Sequence, residues 1–273
     1  MLLVGFRRPH ISVAVPKSTR QRVDSSDVDL PDKSEPRQQS IDGTFRSSLA
    51  YFECGSELSS KQVLRDGKWS DAGNKQNGLT PLNQANSIDV VRDIRSYYYK
   101  SLNFLDSRVG ILLDQLEQSK LDSKTVVIFM SDHGFSNGEH GMWCKNSLFE
   151  QVLKIPFIFR VPGIQGGVRN RNSHVSAIDL FPTLVDLAGL PPFDDETGIP
   201  LDGKSFLPTL RNPEVIHNIA SYSQYPRCKN RGTVQDDACV GSIVGSDMKD
   251  TCSRRPILYM GYSIRVQGCR YVS

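Results

Sequence analysis

Apolar residues recur every three or four positions between Ser87 and Leu116. This spacing predicts a long amphipathic helix with one apolar face. Ser87 would cap its start, and the pattern leaves open a break near Asp106. The residues of the predicted face are Val91, Ile94, Tyr98, Leu102, Leu105, Val109, Leu112 and Leu116.

Two short apolar runs farther along the chain predict strands. Thr125–Met130 reads TVVIFM, which is typical of a strand buried on both faces. Ile155–Val161 reads IPFIFRV and precedes a Pro-Gly pair. Asp179–Ala188 predicts a short helix that ends at Gly189. Strands that alternate with helices predict an α/β fold, in which helices flank a sheet.

The hydrophobic pattern changes after residue 211. The segments ASYSQY, LYMGYSIRV and CRYVS alternate apolar and polar residues, which predicts a small antiparallel sheet. We therefore expect a main domain over residues 1–211 and the start of an antiparallel subdomain over residues 212–273. Residues 17–87 are polar and aperiodic, so we expect a long irregular excursion from the main domain.

Composition and charge narrow the class of protein. Hydrophobic residues make up 38% of the 273 residues and charged residues 23%, as in folded soluble domains. The net charge of +3 does not indicate a nucleic-acid partner. No apolar run approaches the ~18 residues of a membrane span. The opening MLLVGF is shorter than the ~7–15 apolar residues of a signal sequence, so we expect a strand whose upstream partners are missing.

The cysteine pattern leaves the redox state open. The chain has six cysteines and no Cys-x-x-Cys pair of the kind that binds metals. Those after residue 227 could form disulfides in an oxidising compartment, or all six could be free thiols. The six are Cys54, Cys144, Cys228, Cys239, Cys252 and Cys269.

The candidate chemistry lies in SDHGFSNGEHGMWCK, which directly follows TVVIFM. Ligands of open α/β sheets bind beyond the carboxyl ends of strands, where Asp132 and His133 are predicted to lie. Gly134 would allow a tight departure from the sheet. A carboxylate and an imidazole are ordinary metal ligands, and Lys145 could hold an anionic substrate oxygen. The alternative is that Asp132–Gly134 only forms a turn that ends the strand.

The order of several motifs resembles the sulfatases of the alkaline phosphatase superfamily. SDHG, GEHG and W-C-K are followed by VSAIDLFPTLVDLAGL and LDGKSFLPTL, as in that family. VGFRRPHISVAVPK and the final MGYSIRVQGCRYV are similar to its iduronate 2-sulfatase group. The resemblance implies an alkaline-phosphatase-like sheet flanked by helices. It also implies a lysosomal or secreted sulfuric ester hydrolase that acts on sulfated glycosaminoglycans, at 2-sulfated uronic acid ends.

The same resemblance assigns roles to individual residues. It implies that Asp132 and His133 ligate one divalent metal, normally Ca²⁺, and that Lys145 and His10 contact the sulfate ester or assist its leaving group. These roles are physically reasonable, because negative charge grows on the bridging oxygen as the S–O bond breaks. Histidine is an uncommon ligand for a hard ion, so calcium is implied by the resemblance and not by the ligand chemistry. Glu139 is expected to shape the loop.

One part of the family pattern is missing from these 273 residues. No cysteine begins the Cys-x-Pro-Ser-Arg sequence from which sulfatases make their formylglycine nucleophile. We therefore expect a partial catalytic domain over residues 1–211, without its first strands and inactive alone. The alternatives are a non-catalytic remnant of the sulfatase fold and a metal-dependent phosphoesterase of the same superfamily. Oligomeric state is left open.

Overall fold

A computed structural model describes the chain in segments. These are residues 1–10, 15–17, 23–30, 64–65, 68–69, 88–139, 143–145, 147–167, 173–191, 200–228 and 257–273. They belong to two compact units. The first unit comprises Met1–Leu121, Phe135–Ser147 and Pro226–Tyr259, and the second comprises Asp122–Gly134, Leu148–Tyr225 and Met260–Ser273.

Helix α1, Ile88–Gln118, is the longest element of the first unit. It is the predicted amphipathic helix, and it runs without a break at Asp106. The predicted cap, Ser87, lies outside the described residues. Polar side chains occupy much of its buried surface, because Arg95 is 6% exposed and Ser101 is fully buried. The apolar face is less complete than predicted, since Leu112 is 39% exposed.

The rest of the first unit includes short antiparallel pairs. Strands β1, Leu64–Arg65, and β2, Lys68–Trp69, form one pair, and β4, Ser136–Asn137, and β5, Trp143–Cys144, form another. The predicted strand at the start of the chain is wrong. Residues 1–7 have no regular secondary structure, and the apolar side chains among them are exposed.

The second unit contains both predicted apolar strands. Strand β3, Val127–Met130, pairs antiparallel with β6, Phe157–Arg160, so that Met130 lies opposite Phe157. The predicted burial of the first strand on both faces is wrong, because every residue of β3 is only half-buried. The reason is that β6 is its only partner strand within the described residues, and Ile158 of β6 is itself 59% exposed.

Helix α2, Glu150–Leu153, precedes β6, and helix α3, Leu180–Leu187, follows it. A 3₁₀ turn, Ala177–Asp179, leads directly into α3. Helix α3 therefore corresponds to the helix predicted over residues 179–188. Gly189 ends α3 in the left-handed region with φ +64, and its N–H donates to the carbonyl oxygen of Asp186 at 3.1 Å. The predicted glycine stop is confirmed.

A phenylalanine cluster forms the core of the second unit. Phe206, which is 3% exposed, directly precedes helix α4, Leu207–Arg211. Its ring centre lies 5.7 Å from that of Phe157 and 5.1 Å from that of Phe159. Both partners belong to β6, so this cluster packs the α4 segment against the strand. Leu148, Val152 and Leu207 are the other buried apolar residues of this unit among those described.

The predicted C-terminal antiparallel sheet is confirmed. Strand β7, Ala220–Cys228, lies beside β8, Ile257–Val266, which pairs antiparallel with β9, Cys269–Val272. Gly268 makes the tight turn between the last two strands with φ +80. The domain boundary at 211/212 stays a prediction, as does the excursion over 17–87, most of which lies outside the described residues. No described helix is long and apolar enough to cross a membrane.

Candidate functional site

Asp132 and His133 directly follow β3, as predicted. The Ser131 hydroxyl donates to the carbonyl oxygen of His133 at 2.6 Å, and Oδ1 of Asp132 accepts the His133 N–H at 3.1 Å. These local bonds bend the chain away from the strand. The Asp132 side chain is 85% exposed, so its carboxylate is open to a ligand.

The His133 ring is held in one tautomer. Its Nδ1 lies 2.7 Å from the carbonyl oxygen of Gly134, and a carbonyl oxygen only accepts, so Nδ1 carries the hydrogen. A lone pair for a ligand would then be on Nε2, which lies 3.5 Å from Oδ2 of Asp132. A backbone acceptor on one ring nitrogen is the usual way to orient a metal-binding histidine.

The two side chains fit part of a metal site. A carboxylate oxygen and an imidazole nitrogen lie side by side at a suitable spacing for adjacent ligands of one ion. Within the described residues, no three His, Cys, Asp or Glu side chains cluster as metal ligands. Asp132 and His133 would therefore supply part of a coordination sphere.

Gly134 is needed because two backbones approach closely. Its N–H donates to the carbonyl oxygen of Val152 at 2.6 Å. A Cβ at this position would clash with the carbonyl oxygen of Gln151 and lie 2.9 Å from that of Lys154. Gly134 does not have positive φ, so steric contact with α2 requires the glycine, and not the conformational freedom expected from the sequence.

Lys145 follows β5 in the first unit. Its carbonyl oxygen accepts the Ser147 N–H at 2.8 Å, which turns the chain after the hairpin. The side chain is half-buried, and no carboxylate of the described residues is paired with its ammonium group. An ammonium group of this kind is a donor type that binds anionic oxygens.

The hairpin that precedes Lys145 is attached to α1. Nη1 of Arg95 donates to Oε1 of Glu139 and to the carbonyl oxygen of Asn137, both at 2.8 Å. Oε2 of Glu139 accepts the Asn137 N–H at 2.6 Å. Glu139 therefore shapes the loop, as predicted. Sequence reasoning missed Arg95, because a single arginine on a helix carries no local signal of such a role.

His10 lies in a turn near the start of the chain. Its N–H donates to the carbonyl oxygen of Arg7 at 2.9 Å, and its own carbonyl oxygen accepts from the Arg8 guanidinium at 3.3 Å. The residue is exposed. His10 and Lys145 belong to the first unit, whereas Asp132 and His133 belong to the second. The convergence of all four in one site stays a prediction.

A buried polar pair in the second unit was not expected. The Asp179 carboxylate accepts the N–H groups of Ser176 at 2.8 Å and Lys204 at 2.9 Å. Nε2 of His217 lies 3.2 Å from the same carboxylate, although it is not aligned for a hydrogen bond. Asp179 therefore joins three segments of the unit. The Ser-x-x-Asp spacing could have identified its capping role, but His217 has no comparable local signal.

A second polar cluster joins α2 to the C-terminal sheet. Oε2 of Glu150 accepts from Nε of Arg265 at 3.1 Å and from Nε of Arg270 at 3.0 Å. Partial burial opposes ionisation of Glu150, but Arg270 and Arg265 outweigh it and lower the pKa of this carboxyl group. The pKa of His174 is also lowered, first by burial and then by the positive charge of Arg265.

The chain is similar to known sulfatases along most of its length. The sulfatase family model matches residues 1–190. Iduronate 2-sulfatase from Homo sapiens is 29% identical over 99% of this chain and 51% of its own length. Arylsulfatase K from Homo sapiens is 29% identical over 64% of this chain and 33% of its own length. The chain thus spans about half the length, or less, of these curated relatives.

Solved structures confirm the predicted alkaline-phosphatase-like fold. The phosphonate monoester hydrolase of Silicibacter pomeroyi has a TM-score of 0.67 at 19% identity, over 97% of this chain and 46% of its own. The phosphonate monoester hydrolase of Agrobacterium radiobacter has a TM-score of 0.59 at 23% identity, over 97% and 46% respectively. At these identities the likeness concerns the fold alone.

Proposed function

The chain belongs to the sulfatase family, and we propose that it carries part of the active site of a sulfuric ester hydrolase. The proposed substrates are sulfated glycosaminoglycans with 2-sulfated uronic acid ends, in the lysosome or outside the cell. The observation that supports a sulfate-ester site is the side-by-side placement of Asp132 Oδ2 and His133 Nε2 directly after β3. The similarity to human iduronate 2-sulfatase along 99% of the chain supports the substrate class.

Asp132 and His133 would hold one Ca²⁺ ion in this proposal. Bound calcium would supply positive charge that stabilises the sulfate ester as negative charge develops. The hydrogen bond from Nδ1 of His133 to Gly134 would keep Nε2 directed at the ion. Asp132 would contribute a negatively charged oxygen, the donor type that calcium prefers.

Lys145 and His10 would act on the ester itself. The Lys145 ammonium would bind a sulfate oxygen and offset its charge. His10 would donate a proton to the bridging oxygen, so that the sugar leaves as an alcohol and not as an alkoxide. Neither step supplies the attacking nucleophile, for which this sequence has no Cys-x-Pro-Ser-Arg motif. We therefore propose that this chain alone binds the ligand without turning it over.

Calorimetric titration of the full chain with Ca²⁺, and then with a small aryl sulfate, tests the proposal. Asp132→Ala and His133→Ala should each weaken calcium binding, by about 10–100-fold. Lys145→Ala should weaken aryl sulfate binding while leaving calcium binding unchanged. Asp106→Ala and Lys124→Ala are matched controls, because both residues are exposed and lie outside the proposed site.

The alternatives predict different results in the same titration. A metal-dependent phosphoesterase would bind an aryl phosphate in preference to the aryl sulfate. A non-catalytic remnant would bind neither anion in a Lys145-dependent way. Calcium binding that survives both Asp132→Ala and His133→Ala would refute the assigned metal ligands.

A further inference from the structure

Arg95 is a charged residue held inside the first unit. It is only 6% exposed, and its Nη1 atom is shared between the carbonyl oxygen of Asn137 and the carboxylate of Glu139. A buried guanidinium is costly unless it is paired, so these two acceptors determine where the side chain can lie. Arg95 in turn determines where Asn137 and Glu139 can lie.

Both backbone groups of Asn137 are restrained in this way. Its carbonyl oxygen accepts from Arg95, and its N–H donates to Glu139 at 2.6 Å. Asn137 lies opposite Trp143 in the β4–β5 pair, and Trp143 is two residues before Lys145. A shift of one residue in strand register reverses which face each side chain points to. Restraint of Asn137 therefore restrains the direction in which Lys145 leaves the hairpin.

The next turn of α1 contacts the other end of β4. The ring of Tyr98 stacks on that of Phe135, with centres 5.2 Å apart and planes at 17°. Burial, and then the negative charge of Glu139, raises the pKa of Tyr98 to about 12, so the phenol is neutral at physiological pH. Helix α1 thus contacts the residue before β4 through Tyr98 and the residues at its end through Arg95.

We propose that Arg95 is a positioning residue: by clamping Asn137 and Glu139 to α1, it sets the β4–β5 hairpin so that Lys145 is presented to an anionic ligand. The proposal rests on the role given above to Lys145. Arg95 would act on the ligand only through the hairpin, since its described hydrogen bonds go from Nη1 to Asn137 and Glu139.

Hydrogen exchange of the full chain tests directly whether the contacts of Arg95 with Asn137 and Glu139, here called the clamp, restrain the hairpin. Arg95→Ala should accelerate amide exchange over residues 143–147 by about tenfold or more, because the hairpin opens more often without its restraint. Arg95→Lys keeps the charge, but its shorter side chain ends before the position of Nη1, so it should give a smaller acceleration. Arg108→Ala is the matched control, since Arg108 is exposed on the same helix and covers the ring of Phe104.

The Arg95→Lys variant keeps the test decisive if Arg95→Ala does not fold. Unchanged exchange over residues 143–147 in folded Arg95→Lys would overturn the proposal, as would an equal acceleration in Arg108→Ala. This readout does not depend on sulfate binding, so it remains valid if the role given to Lys145 is wrong.

A double-mutant cycle with a small aryl sulfate tests the link to Lys145. Arg95→Lys should weaken aryl sulfate binding by about fivefold in the parent chain and cause no further loss in Lys145→Ala, because it acts through that side chain. Additive losses would overturn the positioning role. If Lys145→Ala alone leaves binding unchanged, the proposed function has failed and only the hydrogen-exchange result bears on the clamp.

Discussion

Thr183 shows how one buried hydroxyl group can join two segments. The residue is fully buried in α3. Its Oγ1 donates to the carbonyl oxygen of Asp179 at 2.7 Å and accepts the N–H of Phe206 at 3.1 Å. The same atom therefore ties the start of α3 to the residue at the centre of the phenylalanine cluster.

Replacing this hydroxyl group should be costly. Thr183→Val keeps the side-chain volume but leaves the Phe206 N–H unpaired in the core, so we expect a loss of about 1–3 kcal/mol in the free energy of unfolding. Urea unfolding of the full chain measures it. Ser101→Ala is the control, because Ser101 is equally buried and its hydroxyl group has no hydrogen-bond partner among the described residues. Equal losses in the two variants would contradict the assigned role.

Gly134 should tolerate no side chain. Gly134→Ala places a methyl group against the carbonyl oxygens of Gln151 and Lys154, which are backbone atoms and cannot rotate away. We expect a loss of about 1–3 kcal/mol or more, since α2 must move from the end of β3. Thermal or urea unfolding checks this. Gly166→Ala should be close to neutral, because nothing lies within 4 Å of its added Cβ.

At the scale of elements, Glu150 links α2 to the C-terminal sheet. Its carboxylate lies 2.9 Å from Nη2 of Arg270 and 3.1 Å from Nε of Arg265, and Arg270 also donates to the Ser263 hydroxyl at 2.7 Å. The Glu150 side chain is 39% exposed, so solvent screens the interaction. Such pairs contribute about 1 kcal/mol or less each.

This link should depend on pH in one direction. The folded-state pKa of Glu150 lies below its ordinary value of 4.5, so the stabilisation is present above that value and is lost as pH falls through the folded-state pKa. Glu150→Gln should therefore destabilise the chain at neutral pH, and by less at a pH below 4.5, where the carboxylate begins to be protonated. Urea unfolding at the two pH values measures the difference. Glu117→Gln, at an exposed position of α1, should show no such dependence.

At the scale of the whole molecule, we expect binding without catalysis. Removal of an activated nucleophile costs many orders of magnitude in rate, and the sequence contains no formylglycine motif. The full chain with calcium and a small aryl sulfate should release no sulfate above background. Hydrolysis that survives Asp132→Ala and Lys145→Ala would indicate a contaminant. Hydrolysis abolished by both substitutions would show that this chain contains a nucleophile outside the expected motif.

The sequence alone was sufficient for elements that depend on neighbours along the chain. The helical spacing predicted α1, the glycine at 189 predicted the end of α3, and the alternating segments predicted the C-terminal sheet. Motif order also identified Asp132, His133 and Lys145 as candidate site residues. These signals are readable because helix and strand periods, caps and turns involve residues only a few positions apart.

Only the tertiary structure decided which distant groups meet. Arg95 and Glu139 are 44 residues apart in sequence, and Arg270 and Glu150 are 120 apart. The antiparallel pairing of β3 with β6 and the approach of α2 to Gly134 depend equally on how the chain returns on itself. No periodic pattern in the sequence predicts such contacts, because they depend on how complete helices and strands pack and pair. The sequence therefore identified candidate residues for binding a sulfate ester. The tertiary structure showed the contacts of the β4–β5 hairpin before Lys145 and of strand β3 before Asp132.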